Sequence, residues 1–107
     1  MEPKDFVRAV AGRLRALRHA TGLSQRQLAE RAGMQICEIS RIETLARSPT
    51  LHTLSRLAGG LGLRLEDMLN TDEDPELTVL LGRLRRATPE QQHQALQRVL
   101  AEVNRAK

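Results

Sequence analysis

The residues whose chemistry stands out lie close together: Ile36, Cys37, Ser40, Arg41 and Thr44. If Ile39 and Ile42 of the same helix turn inward, steps of 100° per residue bring Cys37, Ser40, Arg41 and Thr44 to the opposite face, with Ile36 at its leading edge. Such a face carries the groups needed to read the edges of base pairs. The Arg41 guanidinium can donate two hydrogen bonds to guanine O6 and N7, a contact that discriminates by roughly 1–3 kcal/mol. Ile36 and Cys37 can touch thymine methyls. Plainer readings stand beside these: Arg41 as a solvated charge, Ile36 as core, and Cys37 as a small apolar filler or an exposed redox thiol.

Other chemistries have little support. There is no nucleophile beside a base, no pair of carboxylates suited to a cleft and no glycine-rich phosphate loop, so an enzyme is not expected. The lone Cys37 cannot form an internal disulfide, and with His19, His52 and His93 it supplies no zinc-ligand spacing; neither metal nor cofactor is expected. No apolar run approaches the length of a membrane span, and the start Met1-Glu2-Pro3-Lys4-Asp5 lacks the pattern of a secretory leader, which predicts a cytoplasmic protein.

Charge placement points to an anionic partner. Positions 1–70 hold 11 Lys/Arg against 7 Asp/Glu, and positions 71–107 hold 6 against 6, so the net charge of +4 lies wholly in the first part. Phe6 is the only aromatic residue, which leaves no platform for stacking unpaired bases. Double-stranded DNA is therefore the expected partner.

The elements that must position this face read as helices throughout, since alternation with period two is missing and Leu, Ala, Arg, Glu and Gln dominate. A first helix is predicted from about Pro3 to His19, with Phe6, Val10, Leu14 and Leu17 inward and a stop at Thr21-Gly22. Ser24 with Gln27 forms a capping box for a second helix that ends at Gly33, and a third spans about Gln35–Thr44. Thr50 caps a fourth, whose Leu51, Leu54, Leu57, Ala58 and Leu61 share a face and which ends in the region 59–62; a short fifth covers Leu65–Asn70. The acidic, proline-ended stretch 71–75 marks a boundary. Beyond it Leu77, Leu80, Leu81 and Leu84 line a sixth helix. A seventh opens at Thr88-Pro89-Glu90-Gln91 and carries Leu96, Val99, Leu100 and Val103.

Between the second and third predicted helices the sequence supplies all that a tight corner requires. Ala29 is the small contact, Gly33 a turn residue that tolerates positive φ, and Leu28, Ala32, Met34, Ile39 and Ile42 an inward set. On this corner, and on Leu14-Arg-Ala-Leu-Arg18, Gly22-Leu-Ser-Gln25, Ile39-Ser-Arg-Ile-Glu43, Ser48-Pro-Thr-Leu51, Thr53-Leu54, Leu57-Ala58 and Leu61-Gly62, the chain resembles the Cro and phage-repressor type of helix-turn-helix proteins, the XRE family, over about residues 10–70. The resemblance implies a five-helix, lambda-repressor-like DNA-binding domain whose third helix reads the major groove. It implies that Gln25 binds backbone phosphate, helped by free N–H groups at the helix start. It also implies that Arg18 and Glu43 form a structural ion bridge. Arg47 and Thr50 are further phosphate candidates, while Arg8, Arg13 and Arg15 read as solvated charges of the first helix, with phosphate contact as the alternative.

Three positions depart from the family pattern. Gln35 and Arg64 stand where helix caps are usual, which weakens two helix starts. Leu45 stands where a glycine usually ends the third helix, and a left-handed leucine costs roughly 1–2 kcal/mol, which predicts another path for that loop.

The expected whole is an all-α protein: a DNA-binding domain at 1–70 and a two-helix extension, a hairpin at 75–107. The hairpin has too little apolar surface to stand alone and must pack on the domain or on a second copy. We assign it to homodimerisation through Leu77, Leu80, Leu81, Leu84, Leu96, Val99, Leu100 and Val103. The predicted function is a regulator, by default a repressor, of an inverted-repeat operator. The rival reading is an antitoxin-type protein whose hairpin binds a protein partner while the first domain represses its own operon.

Overall fold

The computed structural model describes residues 2–106. They form seven helices and no strand: α1 (Pro3–Ala20), α2 (Gln25–Ala32), α3 (Ile36–Glu43), α4 (Leu51–Leu61), α5 (Leu65–Leu69), α6 (Pro75–Arg86) and α7 (Pro89–Arg105). The all-α architecture with a helical extension is thus as the sequence implies. Helix starts follow side-chain chemistry. Ser24 Oγ accepts from the Gln27 N–H at 3.0 Å while Gln27 Oε1 accepts from the Ser24 N–H at 2.8 Å, and Thr88 with Gln91 repeats this box at α7. Thr50 Oγ1 accepts from the Thr53 N–H at 3.0 Å. Gln35 and Arg64 provide no cap of their own, but Glu38 and Asp67, three residues on, accept their N–H groups at 3.1 and 2.9 Å.

One apolar cluster joins the first five helices, with Leu14, Leu17, Leu28, Ile39, Ile42, Leu57 and Met68 at its centre. Each such side chain stabilises the fold by about 1.5–3 kcal/mol relative to exposure. The corner between α2 and α3 is built as its residues predict. Gly33 sits at φ +66°, and the next N–H, of Met34, closes the helix onto Ala29 O at 2.9 Å. α4 continues through Gly59 and Gly60 to Leu61, because Gly60 is where α4 crosses α2. A Cβ there would stand 3.0 Å from Leu28 Cδ1 and 3.3 Å from the Ala32 backbone nitrogen.

Leu45 corrects an expectation. It adopts the left-handed conformation at φ +66°, so the loop keeps the path a glycine would give it. The Leu45 N–H bonds Ile42 O at 3.1 Å and the Ala46 N–H bonds Arg41 O at 2.8 Å, the paired closure that also ends α2. Those two bonds and the buried Ile42 hold the strained backbone in place.

Two expectations about inward apolar faces also change. Phe6 and Leu51 are 39% and 64% exposed. Each stands in the first turn of its helix, at the rim of an open apolar cavity of about 140 Å³ that the core does not fill.

The sixth helix docks on the first five by Thr78, Val79 and Gly82, with Gly82 against Leu63, leaving its leucines on the other side. The cause is Arg13, which the sequence places among solvated charges and the fold buries at 4% exposure. Arg13 Nε donates to Asp67 O at 2.8 Å, Nη2 to Thr78 Oγ1 at 2.8 Å, and Nη1 to Glu73 O; Thr78 in turn donates to the Glu73 carboxylate. Burial pulls the Arg13 pKa below its ordinary value, and Glu73, Asp67 and Asp74 counter part of that pull. Around this strut Arg85 bonds Asp67 Oδ2 at 2.7 Å and Arg86 donates to Gly62 O. The acidic stretch is thereby stitched down. α7 has no buried residue.

Replacing Arg13 with Met should strand these acceptors, lowering stability by about 3 kcal/mol in urea unfolding. Amides of α6 should then exchange with deuterium well before those of α2 to α4. Unchanged protection in α6 would remove Arg13 as the strut.

Candidate nucleic-acid interface

An eight-residue helix has too few hydrogen bonds to hold itself, so the placement of α3 is set by what grips it. Ile39 and Ile42 anchor its inner face in the core. Its last residue, Glu43, receives a two-pronged bond from α1, with Arg18 Nε to Oε2 at 2.8 Å and Nη2 to Oε1 at 3.0 Å. The pair implied by the family resemblance is therefore formed, and both side chains are less than a tenth exposed. Arg18 also donates to Leu23 O at 3.0 Å, and Gln25 Nε2 donates to Glu43 Oε1 at 3.2 Å. One carboxylate thus ties α1, the start of α2 and the end of α3. Burial works to raise the Glu43 pKa, but hydrogen bonds from Arg18 and Gln25 and the charges of Arg18 and Arg15 outweigh it and hold the carboxyl below its ordinary range. The bond to Glu43 raises Arg18, against the opposing effect of burial.

With α3 fixed in this way, Ile36, Cys37, Arg41 and Thr44 are exposed and Ser40 is half-buried. Ile36, 41% exposed, belongs to the surface and not to the core. Thr44 donates its hydroxyl to Ser40 O at 2.8 Å, which leaves its oxygen as an acceptor and its methyl outward. The Arg41 guanidinium has no hydrogen bond or ion pair among the described residues. Five N–H donors therefore stand unengaged on the outer face of a helix.

The phosphate candidates flank this face. Gln25 spends one amide hydrogen on Glu43 and keeps the other, beside the Gln25 and Arg26 backbone N–H groups that lack helical partners. Arg47 and Thr50 line a small groove of about 80 Å³ together with Ser48 and Glu38. The Thr50 hydroxyl is committed within its own helix start, since it also donates to Thr53 Oγ1 at 3.0 Å. Sequence reasoning missed Arg56, whose guanidinium donates to Gly33 O and braces the corner from α4. Its only sequence signal is an outward position on α4, which a solvated arginine shares.

A buried corner that turns a short, cation-bearing helix outward defines the class of a helix-turn-helix DNA-binding module. The helix-turn-helix domain family matches residues 9–70, more than half of the chain, and this chain belongs to that family. It is also similar to a protein named HTH-type transcriptional regulator PuuR in Escherichia coli (strain K12) and in Shigella flexneri, 39% identical over 64 residues. That stretch is 60% of this chain and 35% of the relatives, so the match spans about a third of their length.

Because folding lowers the Glu43 pKa, its contribution is whole above the unfolded carboxylate value of about 4.3 and drains as pH falls through the lower folded value. Wild-type stability should therefore drop below about pH 4. Glu43→Gln should lower the pH 7 value by about 3 kcal/mol and flatten the acid loss, as read by urea midpoints at pH 7 and 3.5. Parallel acid profiles for the two proteins would exclude Glu43 as a source of that dependence.

Proposed function

We propose that this chain is a transcriptional regulator that binds an inverted-repeat operator as a homodimer and represses by occluding a promoter. The observation that carries the reading is the outer face of α3, where Ile36, Cys37, Arg41 and Thr44 stand exposed and Arg41 is unengaged. A guanidinium so presented matches guanine O6 and N7, and the neighbouring apolar groups match thymine methyls. The printed name of the Escherichia coli and Shigella relatives, a transcriptional regulator, supports the regulatory role.

Support for the homodimer comes from the two outer stripes beyond the first five helices. Leu77, Leu80 and Leu81 on α6, and Leu96, Val99, Leu100 and Val103 on α7, are between 37% and 57% exposed. Both stripes follow the i, i+3, i+4 spacing of a helix seam, with Leu84 half-buried at the end of the first. A two-fold pairing of these stripes closes an all-apolar core in a self-complementary contact. Two α3 helices so related would lie about 34 Å apart, which requires half-sites one helical turn apart.

Selection of bound sequences from random duplexes supplies the test site. On it Arg41→Ala should lose about 1–3 kcal/mol and relax preference at one position, whereas Arg47→Ala should weaken all duplexes alike. Uniform loss across duplexes for Arg41→Ala would remove its reading role. Leu96→Asp or Val99→Asp should halve the solution mass and sharply weaken operator binding. A wild-type monomer, or a second small protein co-purifying in place of the second copy, would overturn the homodimer in favour of a heterologous partner.

A further inference from the structure

At the far end of α3 the strained leucine faces a second cationic site. The apolar Leu45 and Val7 line a concavity of about 310 Å³ together with Lys4, Arg8, Arg47 and Ser48. Lys4 and Arg8 lie one turn apart on α1, while Arg47 and Ser48 come from the loop between α3 and α4. None of the three cations pairs with a carboxylate among the described residues. Three unneutralised charges around one hollow repel one another, so the arrangement favours an anion that bridges them.

Leu45 adds a second, independent observation. Its position demands the left-handed backbone that glycine adopts freely, yet a leucine holds it at φ +66° with its side chain 43% exposed. Packing in the core does not explain that choice. A hollow lined by both apolar and cationic side chains is explained if the ligand has both kinds of surface, as a deoxyribose joined to phosphates does. Backbone strain retained at an exposed position is a mark of ligand contact. Leu45, which lines the hollow, directly follows Thr44, the last residue of the proposed reading face.

We propose that Lys4, Arg8 and Arg47 hold a sugar–phosphate segment of DNA flanking the base pairs read by α3, with Leu45 and Val7 seating the sugar. The proposal rests on α3 as the reading helix and extends the contact to the N-terminal turns of α1. It gives Arg8 a binding role in place of simple solvation.

The test compares wild type, the Lys4→Gln/Arg8→Gln double variant and Leu45→Gly on the selected duplex and on an unrelated duplex of equal length. The double variant should weaken both by about tenfold and flatten the plot of log affinity against log salt by about 2, one unit per lost phosphate contact. Leu45→Gly should melt a few degrees higher and still bind DNA several-fold more weakly, because the strain and the sugar contact leave together. Ethylation interference should lose one or two phosphates outside the bases protected by Arg41. An unchanged salt slope, or a Leu45→Gly protein that binds as tightly as wild type, overturns the cradle. So does a change in oligomer mass without a change in slope, which would show the cations meeting an acidic segment of a second copy. If Arg41→Ala alone proves inert while the slope change persists, base reading fails and the cradle stands.

Discussion

The direction in which α3 can point is set by the carboxylate of Glu43, held between Arg18 and Gln25. Removing two charges from water costs several kcal/mol, and their attraction in the interior roughly returns it, so the pair adds little net stability. What it adds is geometry. Two parallel N–H···O bonds tolerate little rotation, and a helix of two turns anchored by Ile39 and Ile42 alone could still roll about its axis. The pair removes that freedom, and the outer face from Ile36 to Thr44 is arranged before any ligand arrives. The helix backbone is ordered in advance, and the cost left to binding is that of fixing exposed side chains such as Arg41, about 0.5–1.5 kcal/mol each.

The same logic accounts for the two ends of α3. Its start is open, with Gln35 contributing no cap and Glu38 supplying only the return bond. Its end is closed through the left-handed Leu45, whose cost is offset by two backbone bonds and by the anchoring of Ile42. Strain is therefore stored where the protein surface is concave and cationic, and not in the corner, where Gly33 relieves it.

Much of this was legible in the sequence because it is local. Capping boxes at Ser24 and Thr88, the corner at Gly33 and the inward pair Ile39 and Ile42 all follow from spacings under five residues. The Arg18–Glu43 bridge is not local, and only resemblance to a family implied it. Arg13 had no such guide: its acceptors lie 54 to 65 positions away, and on its own helix it looks like any solvated arginine. The docking face of α6 was hidden for a related reason. Thr78, Val79 and Gly82 are less hydrophobic than the leucine stripe beside them, and they are buried because a buried guanidinium needs the Thr78 hydroxyl and because Gly82 lets α6 approach Leu63. Phe6 and Leu51 show the limit of periodicity, since a first-turn residue can have the right phase and still lie beyond the edge of the core.

The position of α6 has a mechanical consequence. One face is fastened to the first five helices and their loops by Arg13–Thr78, Arg85–Asp67 and Arg86–Gly62, and the other presents Leu77, Leu80 and Leu81. Any assembly formed through the leucine face is therefore coupled to α1 through one helix, with polar bonds and no flexible tether on the other side. A tethered pair would accept half-sites at many separations, because each doubling of a flexible loop costs only about 0.6 kcal/mol. A pair joined through α6 transmits its own geometry to both copies of α3, and α1 carries that geometry directly into Glu43 through Arg18. The strut at Arg13 and the clamp at Arg18 lie on the same helix, a little over one turn apart, so α1 is the rigid member between the outer leucines and α3.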